Sequence, residues 1–156
     1  MDYADFEDGK WLMDPGGRFR LRLPTGWRLA HSKDMATFWV YPPQTGPGDL
    51  RLAMVGCEDA ETVRGSEIAR AAGETRPGVK ITEKEGSVRA HYSRRVETPL
   101  GQDLHYLWEV GAGAWVAVWS YVIDSRLRTA PGVALEFGAV RDIVGSFRFA
   151  ARIEES

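Results

Sequence analysis

The chain has a single cysteine, Cys57. No internal disulfide is possible, so a disulfide-stapled scaffold is excluded, and so is a multi-cysteine metal site. Cys57 reads as a small core or strand-end residue. The three histidines, His31, His91 and His105, have no paired spacing of the kind a metal site needs. No apolar run approaches the roughly 20 residues of a membrane helix, so membrane insertion is not expected. Neither sign of charge dominates: 20 basic and 22 acidic residues leave a net charge of −2, which gives no footprint for a polyanion and counts against nucleic acid. The start, MDYADFEDGK, is acidic where an export signal would be basic and then apolar. With the lone cysteine, this favours the cytoplasm. No Gly-rich loop joins a strand to a helix; GAGA at 111–114 reads as a link between strands. Ser66 and Ser120 sit in no nucleophile elbow. No cofactor and no metal are expected.

What is present is a scaffold. The 156 residues suit one domain, with 44% hydrophobic and 27% charged residues, an ordinary globular balance that allows a sizeable core. Residues 1–10 are polar and read as a flexible segment ahead of a single domain, 11–153. FRLRL at 19–23 alternates strictly, with Phe19, Leu21 and Leu23 on one side and Arg20 and Arg22 on the other, as in a half-buried strand. Trp27–His31, 35–41 (MATFWVY) and 50–56 (LRLAMVG) read as further strands. Residues 60–72 read as a helix with Asp59 as cap, Glu61 in its first turn, Gly73 as stop and a thin apolar face. After VKITEKE at 79–85 come three strands with short links, 87–98, 103–111 and 114–124. Residues 131–145 read as a stronger helix, with Pro131 at its first position and Val133, Phe137, Val140 and Val144 on one face. SFRFAAR at 146–152 closes the chain as a strand. Hairpin-length links imply an α+β fold: an antiparallel sheet of six to eight strands flanked by two main helices.

The third strand of the meander, AWVAVWSYVID, carries no charge from Trp115 to Ile123, so both its faces need cover. With TPLGQ and GAGA as turns, Tyr92 falls opposite Trp108, Arg94 opposite Tyr106, Tyr106 opposite Trp119 and Leu104 opposite Tyr121. One face then collects nearly all the rings, with Arg94 as a cation lying over Tyr106 or Trp119. Each aromatic ring buries about 150–250 Å², so at about 25 cal/mol per Å² leaving one exposed forgoes several kcal/mol. Either the helix at 131–145 covers this face, or part of it is a surface for another protein or a second copy. The candidate partner-binding residues are Trp39, Tyr41, Tyr92, Arg94, Tyr106, Trp108, Trp119 and Tyr121, with Met35 beside them. In the same register His91 faces Glu109 and Arg95 faces His105. A His–carboxylate pair could do acid–base work, although a solvated cross-strand pair is the plainer reading.

FRLRLPTGW at 19–27 resembles the opening strand and LP-x-GW turn of PsbP-like proteins, the group that includes the Ran-binding Mog protein. RPGVKI after the first helix, the meander, and VRDIVGSFRF at the end resemble that family's later elements. The resemblance implies an antiparallel sheet with helices on both sides and no catalytic residue, since members are mainly binding or accessory proteins. One branch acts as adaptor chaperones for type VI secretion effectors, cradling apolar helices on a sheet surface. The expected function is therefore a non-catalytic protein-binding module, an adaptor chaperone or an immunity protein linked to bacterial secretion. The alternatives are a small apolar-ligand binder with a pocket between helix and sheet, and then an enzyme.

Overall fold

The computed structural model describes residues 5–6, 9–56, 65–76, 78–84 and 86–150. In chain order these form β1 (Asp5–Phe6), β2 (Gly9–Met13), β3 (Phe19–Pro24), β4 (Arg28–His31), β5 (Thr37–Tyr41), β6 (Asp49–Gly56) and α1 (Gly65–Glu74). There follow β7 (Lys80–Lys84), β8 (Ser87–Thr98), β9 (Gly101–Ala112), β10 (Trp115–Asp124), a 3-10 turn (Ser125–Leu127), α2 (Pro131–Ser146) and β11 (Arg148–Phe149). The expected antiparallel α+β architecture forms, with seven strands in the main sheet, ordered β4-β5-β6-β10-β9-β8-β7. The alternating strand β3 leaves that sheet. With β1, β2 and β11 it makes a second one, ordered β1-β2-β3-β11. Residues 9 and 10, expected to be loose, therefore belong to a strand. Cys57, Asp59, Glu61 and Val63 lie outside the described residues.

The strand β10, uncharged from Trp115 to Ile123, takes the middle of the main sheet, between β6 and β9. Its odd-numbered side chains share a face with Leu50, Leu52 and Met54 of β6 and with Tyr106, Trp108 and Val110 of β9. That face is covered by α2 and the small sheet. Phe19 of β3 meets Phe38 edge-on, with ring centres 5.2 Å apart, and Phe147 packs between Phe19 and Trp119. Phe137 of α2 lies against Tyr106, Trp108 and Tyr121. Trp119, Tyr121, Phe19 and Phe147 are all buried.

Polar contacts fix α2 at both ends. Glu136 accepts the hydroxyl of Tyr121 at 2.7 Å and the N–H of Gly48 at 2.8 Å, so the β5–β6 loop, β10 and the helix are tied at one carboxylate. At the other end Arg89 of β8 donates to the carbonyls of Val144 (3.1 Å) and Phe147 (2.5 Å), where a helix leaves carbonyls unsatisfied. Ser146 extends the helix one residue past Gly145, accepting the Arg22 N–H at 2.9 Å and donating to the Ile143 carbonyl at 2.6 Å.

α1 packs on the opposite face of the main sheet, over β7, β8, β9 and the near side of β10. Its apolar face is thin, as expected: Gly65, Ala69 and Gly73 are its buried residues. The small residues let it sit close. A Cβ on Gly111 of β9 would lie 1.9 Å from the Gly65 carbonyl oxygen, so only glycine permits this approach. Gly73, expected as a stop, is instead inside the helix and packs on Ile81 and Ala90.

One register differs from expectation, and it moves a whole strand's side chains. The β8–β9 hairpin closes one residue tighter, with Thr98 opposite Gly101, so Tyr92 pairs with Leu107 and not with Trp108. Gly101 makes this possible at φ 139°, a conformation open to glycine. A one-residue change exchanges faces. Arg89, His91, Ser93 and Arg95 therefore join Tyr106 and Trp108 on the α2 side, while Val88, Ala90, Tyr92 and Arg94 turn to the α1 side. The β9–β10 pairing shifts by two residues, which preserves faces: Trp108 lies opposite Trp119 and Tyr106 opposite Tyr121.

Asp14 anchors the entry to β3. It is buried, and it accepts from the Arg18 Nε at 2.6 Å and the Arg18 backbone N–H at 3.1 Å. Arg18 also donates to the Met35 carbonyl at 2.7 Å and lies 5.1 Å from the Trp115 ring centre. Burial pushes the Asp14 carboxyl up, but the hydrogen bonds from Arg18 and Gly16 outweigh it and hold it below the ordinary 3.8. Asp14 therefore contributes stability that is present above the unfolded value and lost as pH falls through the folded one. Urea midpoints of the parent should fall across that acid range, and Asp14→Asn should flatten this part of the fall. Asp14→Ala, which leaves Arg18 unpaired, should cost about 2–4 kcal/mol at neutral pH.

Candidate functional site

The eight candidate binding residues divide between the two faces of the main sheet. Tyr106, Trp108, Trp119 and Tyr121 lie on the α2 side, and Trp39, Tyr41, Tyr92 and Arg94 on the α1 side. Trp119 and Tyr121 are core, with α2 above them. Burial, and then the Glu136 carboxylate it bonds, push the Tyr121 hydroxyl far up, so it is a fixed donor. Tyr106 and Trp108 are half-buried at the edge of α2. Arg94 does not reach either ring; it is exposed on the far side, opposite His105.

On the α1 side, Tyr92 is buried at the margin of the helix and donates to Glu109 at 2.6 Å. Burial first, and then Glu109, raise its hydroxyl to about 12. Arg76, just past α1, lies 4.9 Å from the ring centre. Beyond β10 the same face continues onto β6 and β5. There Trp39, Ala53, Val118 and Val122 are half-buried, while Tyr41 is 41% and Val55 49% exposed. The cross-strand rows run Trp39–Arg51–Ser120 and Thr37–Ala53–Val118. Among the described residues, the packing of α1 falls short of this half of the face. The surface is mixed: Trp39, Tyr41, Ala53, Val55, Val118 and Val122 are apolar or aromatic, Arg51, paired with Asp49 at 2.9 Å, lies in their midst between Trp39 and Ser120, and Arg28 stands beside Tyr41.

On the α2 side, the ring of His91 stacks on that of Trp108, with centres 4.5 Å apart and planes 11° from parallel. Its Nδ1 lies 2.8 Å from the Leu107 carbonyl oxygen, which can only accept, so Nδ1 carries the proton in the neutral ring. Burial lowers the His91 pKa first, the Leu107 carbonyl opposes this, and Lys80 and Arg141 lower it further. The expected His91–Glu109 pair does not form. His91 lies opposite Trp108, and Glu109 is on the other face with Tyr92. The expected Arg95–His105 pair is likewise absent, since Arg95 lies opposite Leu104. Both corrections follow from the one-residue change at Thr98–Gly101.

Among the described residues no cluster of His, Cys, Asp and Glu is placed to hold a metal ion, and no helix is long and apolar enough to cross a membrane. A cleft of about 410 Å³ lies between α1 and the β7–β8 turn, lined by Ser66, Glu67, Arg70, Glu83, Lys84, Gly86, Ser87 and Val88. An Arg70–Glu83 ion pair crosses it. Another, of about 390 Å³, lies beside the β8–β9 turn at Leu100 and Asp103. Both are surface clefts at turns, and neither contains His91, His105 or Trp108.

No family model matches the sequence, and no curated protein matches it. Solved structures do match. A protein from Bacteroides thetaiotaomicron aligns with a TM-score of 0.69 at 15% identity; the alignment covers 96% of this chain, and the chain spans about half, 51%, of that protein. Cyanobacterial PsbP (CyanoP) from Synechocystis sp. PCC 6803 aligns with a TM-score of 0.62 at 8% identity, over 94% of this chain and 95% of that one. LpqN, described as involved in cell envelope biogenesis of Mycobacterium tuberculosis, aligns with a TM-score of 0.55 at 14% identity, over 96% and 90%. The chain thus has a PsbP-like fold. These likenesses concern backbone architecture.

The lowered His91 pKa has a thermodynamic consequence. The unfolded chain takes up a proton near 6.5, and the folded protein takes it up only at lower pH. Stability from this residue is therefore full above about 6.5 and is lost as pH falls toward the folded value. A ¹H–¹³C titration of the His91 ring should show a midpoint below 6.5. Arg141→Ala should move that midpoint up without displacing the ring from Trp108.

Proposed function

We propose that the chain is a non-catalytic protein-binding module that receives an amphipathic helix of another protein on the open half of its α1-side sheet face. The supporting observation is that the described residues cover that face incompletely. Among the described residues two helices serve two faces, and α2 with the small sheet takes most of one of them. The described α1 runs from Gly65 to Glu74 and packs through Gly65, Ala69 and Gly73. It reaches β10, and the sheet continues for three more strands. What lies beyond includes the apolar or aromatic Trp39, Tyr41, Ala53, Val118 and Val122, with the Arg51–Asp49 pair among them, and a helix laid beside α1 would bury its apolar part and could meet that pair with a polar group. Helix-in-groove recognition needs such a surface, with anchors at i, i+3, i+4 and i+7 on the incoming helix. Trp and Tyr are favoured anchors on the receiving side.

A role as adaptor chaperone or immunity protein in bacterial secretion is the sharper form of this proposal. It fits a PsbP-like domain that presents a sheet surface for an apolar helix. Less supports the alternatives. The cleft at α1 is lined largely by polar and charged groups and the one at the β8–β9 turn lies open at the surface, unlike an enclosed apolar ligand site, and His91 and Glu109 stand on opposite faces of the sheet.

The test uses a synthetic amphipathic helix of about 18 residues, leucine on one face and lysine on the other. Its addition to ¹⁵N-labelled protein should shift the amides around Trp39, Ala53, Val118 and Val122. Tyr41→Ala and Val118→Lys should each weaken binding about tenfold or more, while the melting temperature of Tyr41→Ala stays near that of the parent. Shifts that gather elsewhere, or affinities indifferent to both substitutions, would remove the proposal. The secretion-linked form further expects stoichiometric co-purification with a co-expressed secreted effector, lost in Val118→Lys.

A further inference from the structure

The edge strand of the main sheet is shorter than its neighbour. β7 is five residues long and β8 twelve. The ladder between them pairs Lys84 through Lys80 with Ser87 through His91 and stops there. From Tyr92 to Thr98, β8 remains paired to β9 on its inner side. Among the described residues no strand lies on its outer side. Alternate residues of an antiparallel strand turn N–H and C=O to the same side, so about three residues of this stretch present both groups to no strand. An edge of this kind is a template for strand addition unless something blocks it.

The side chains along the edge indicate what could be added. Ser93, Arg94 and Arg95 are all exposed. Arg94 projects to the α1 side and Arg95 to the α2 side, and Lys80 stands opposite His91 where β7 begins. Among the described residues no salt bridge holds Lys80, Arg94 or Arg95. The one carboxylate on this stretch, Glu97, is near the far end, where it accepts from the Gln102 amide at 3.3 Å. A second copy pairing through the same edge would set arginine against arginine, and like charges directly opposite are unfavourable. An uncharged strand would leave both guanidinium groups unpaired. An acidic one would meet a cation on each side of the sheet as well as the free backbone groups.

We propose that the Tyr92–Thr98 edge of β8 accepts an extended acidic segment of another protein, added as a strand in line with β7. Adjacent carboxylates on the added strand point to opposite faces, one toward Arg94 and the other toward Arg95. This interaction is separate from the helix-binding reading of the sheet face: it uses backbone at the rim, and Tyr41 and Val118 are not part of it.

The probe is an acetylated, amidated peptide of about eight residues, valine and threonine around a central Glu-Asp pair. Its control carries Gln-Asn in their place. The Glu-Asp peptide should slow amide hydrogen exchange selectively within Ser93–Glu97, and it should bind about tenfold more tightly than the control, increasingly so at low salt. The double variant R94E/R95E should lose that preference and instead favour a Lys-Arg peptide, a gain of function that misfolding cannot mimic. The proposal is overturned if the two peptides bind equally, if neither binds at millimolar concentration, or if protection falls on the Trp39–Val118 face. Concentration-dependent dimerisation that protects the same amides without peptide would also overturn it, by naming a second copy as the occupant.

Discussion

The pairing of β9 with β10 is the constraint on which the rest of the fold depends. It sets Trp108 beside Trp119 and Tyr106 beside Tyr121, so four rings of two adjacent strands face one way. Burying Trp119 and Tyr121 together removes roughly 300–500 Å² from water, or about 8–12 kcal/mol at 25 cal/mol per Å² before ordering costs. α2 lies on this face, where Phe137 fills the space among Tyr106, Trp108 and Tyr121. The carboxylate of Glu136 then reaches Tyr121 and Gly48 together. With α2 and β3 committed to this side, α1 is the helix that the described residues place on the other.

Much of the scaffold was legible in the sequence because it rests on local pattern. The alternation in FRLRL, the uncharged run around Trp119, and Pro131 with the spacing of Val133, Phe137, Val140 and Val144 each identify an element and the face it buries. Departure of β3 to a second sheet was not legible. An alternating strand shows which side is apolar and says nothing of which sheet takes it. The strand β2 also escaped, since GKWLM is short and lies close to an acidic start with little periodicity of its own.

The placement of the candidate residues was legible only in part. Aromatic strands were evident from residue type, but the register of β8 depended on a single turn. Pro99-Leu100 lacks the Asn-Gly or Asp-Gly signal of a two-residue hairpin, and Gly101 absorbs the tight closure in a backbone conformation that no side-chain pattern reports. At the GAGA turn the difference was two residues, and parity survived it. Tyr92 and Arg94 therefore crossed to the α1 side while Trp108 stayed. Trp39 and Tyr41 were misplaced for a related reason: their face follows from the β5–β6 and β6–β10 ladders, which no short link fixes.

The same parity sets Trp39, Tyr41, Val118 and Val122 on the face that α1 shares. Small residues dominate where α1 meets the sheet, and glycine at 65 and 111 brings the two backbones together. A helix seated that close has a narrow footprint. A longer helix with larger side chains would stand further off and cover more strands. Among the described residues, the close seat of α1 and the part-exposed stretch from Val118 to Tyr41 are thus two consequences of one packing choice.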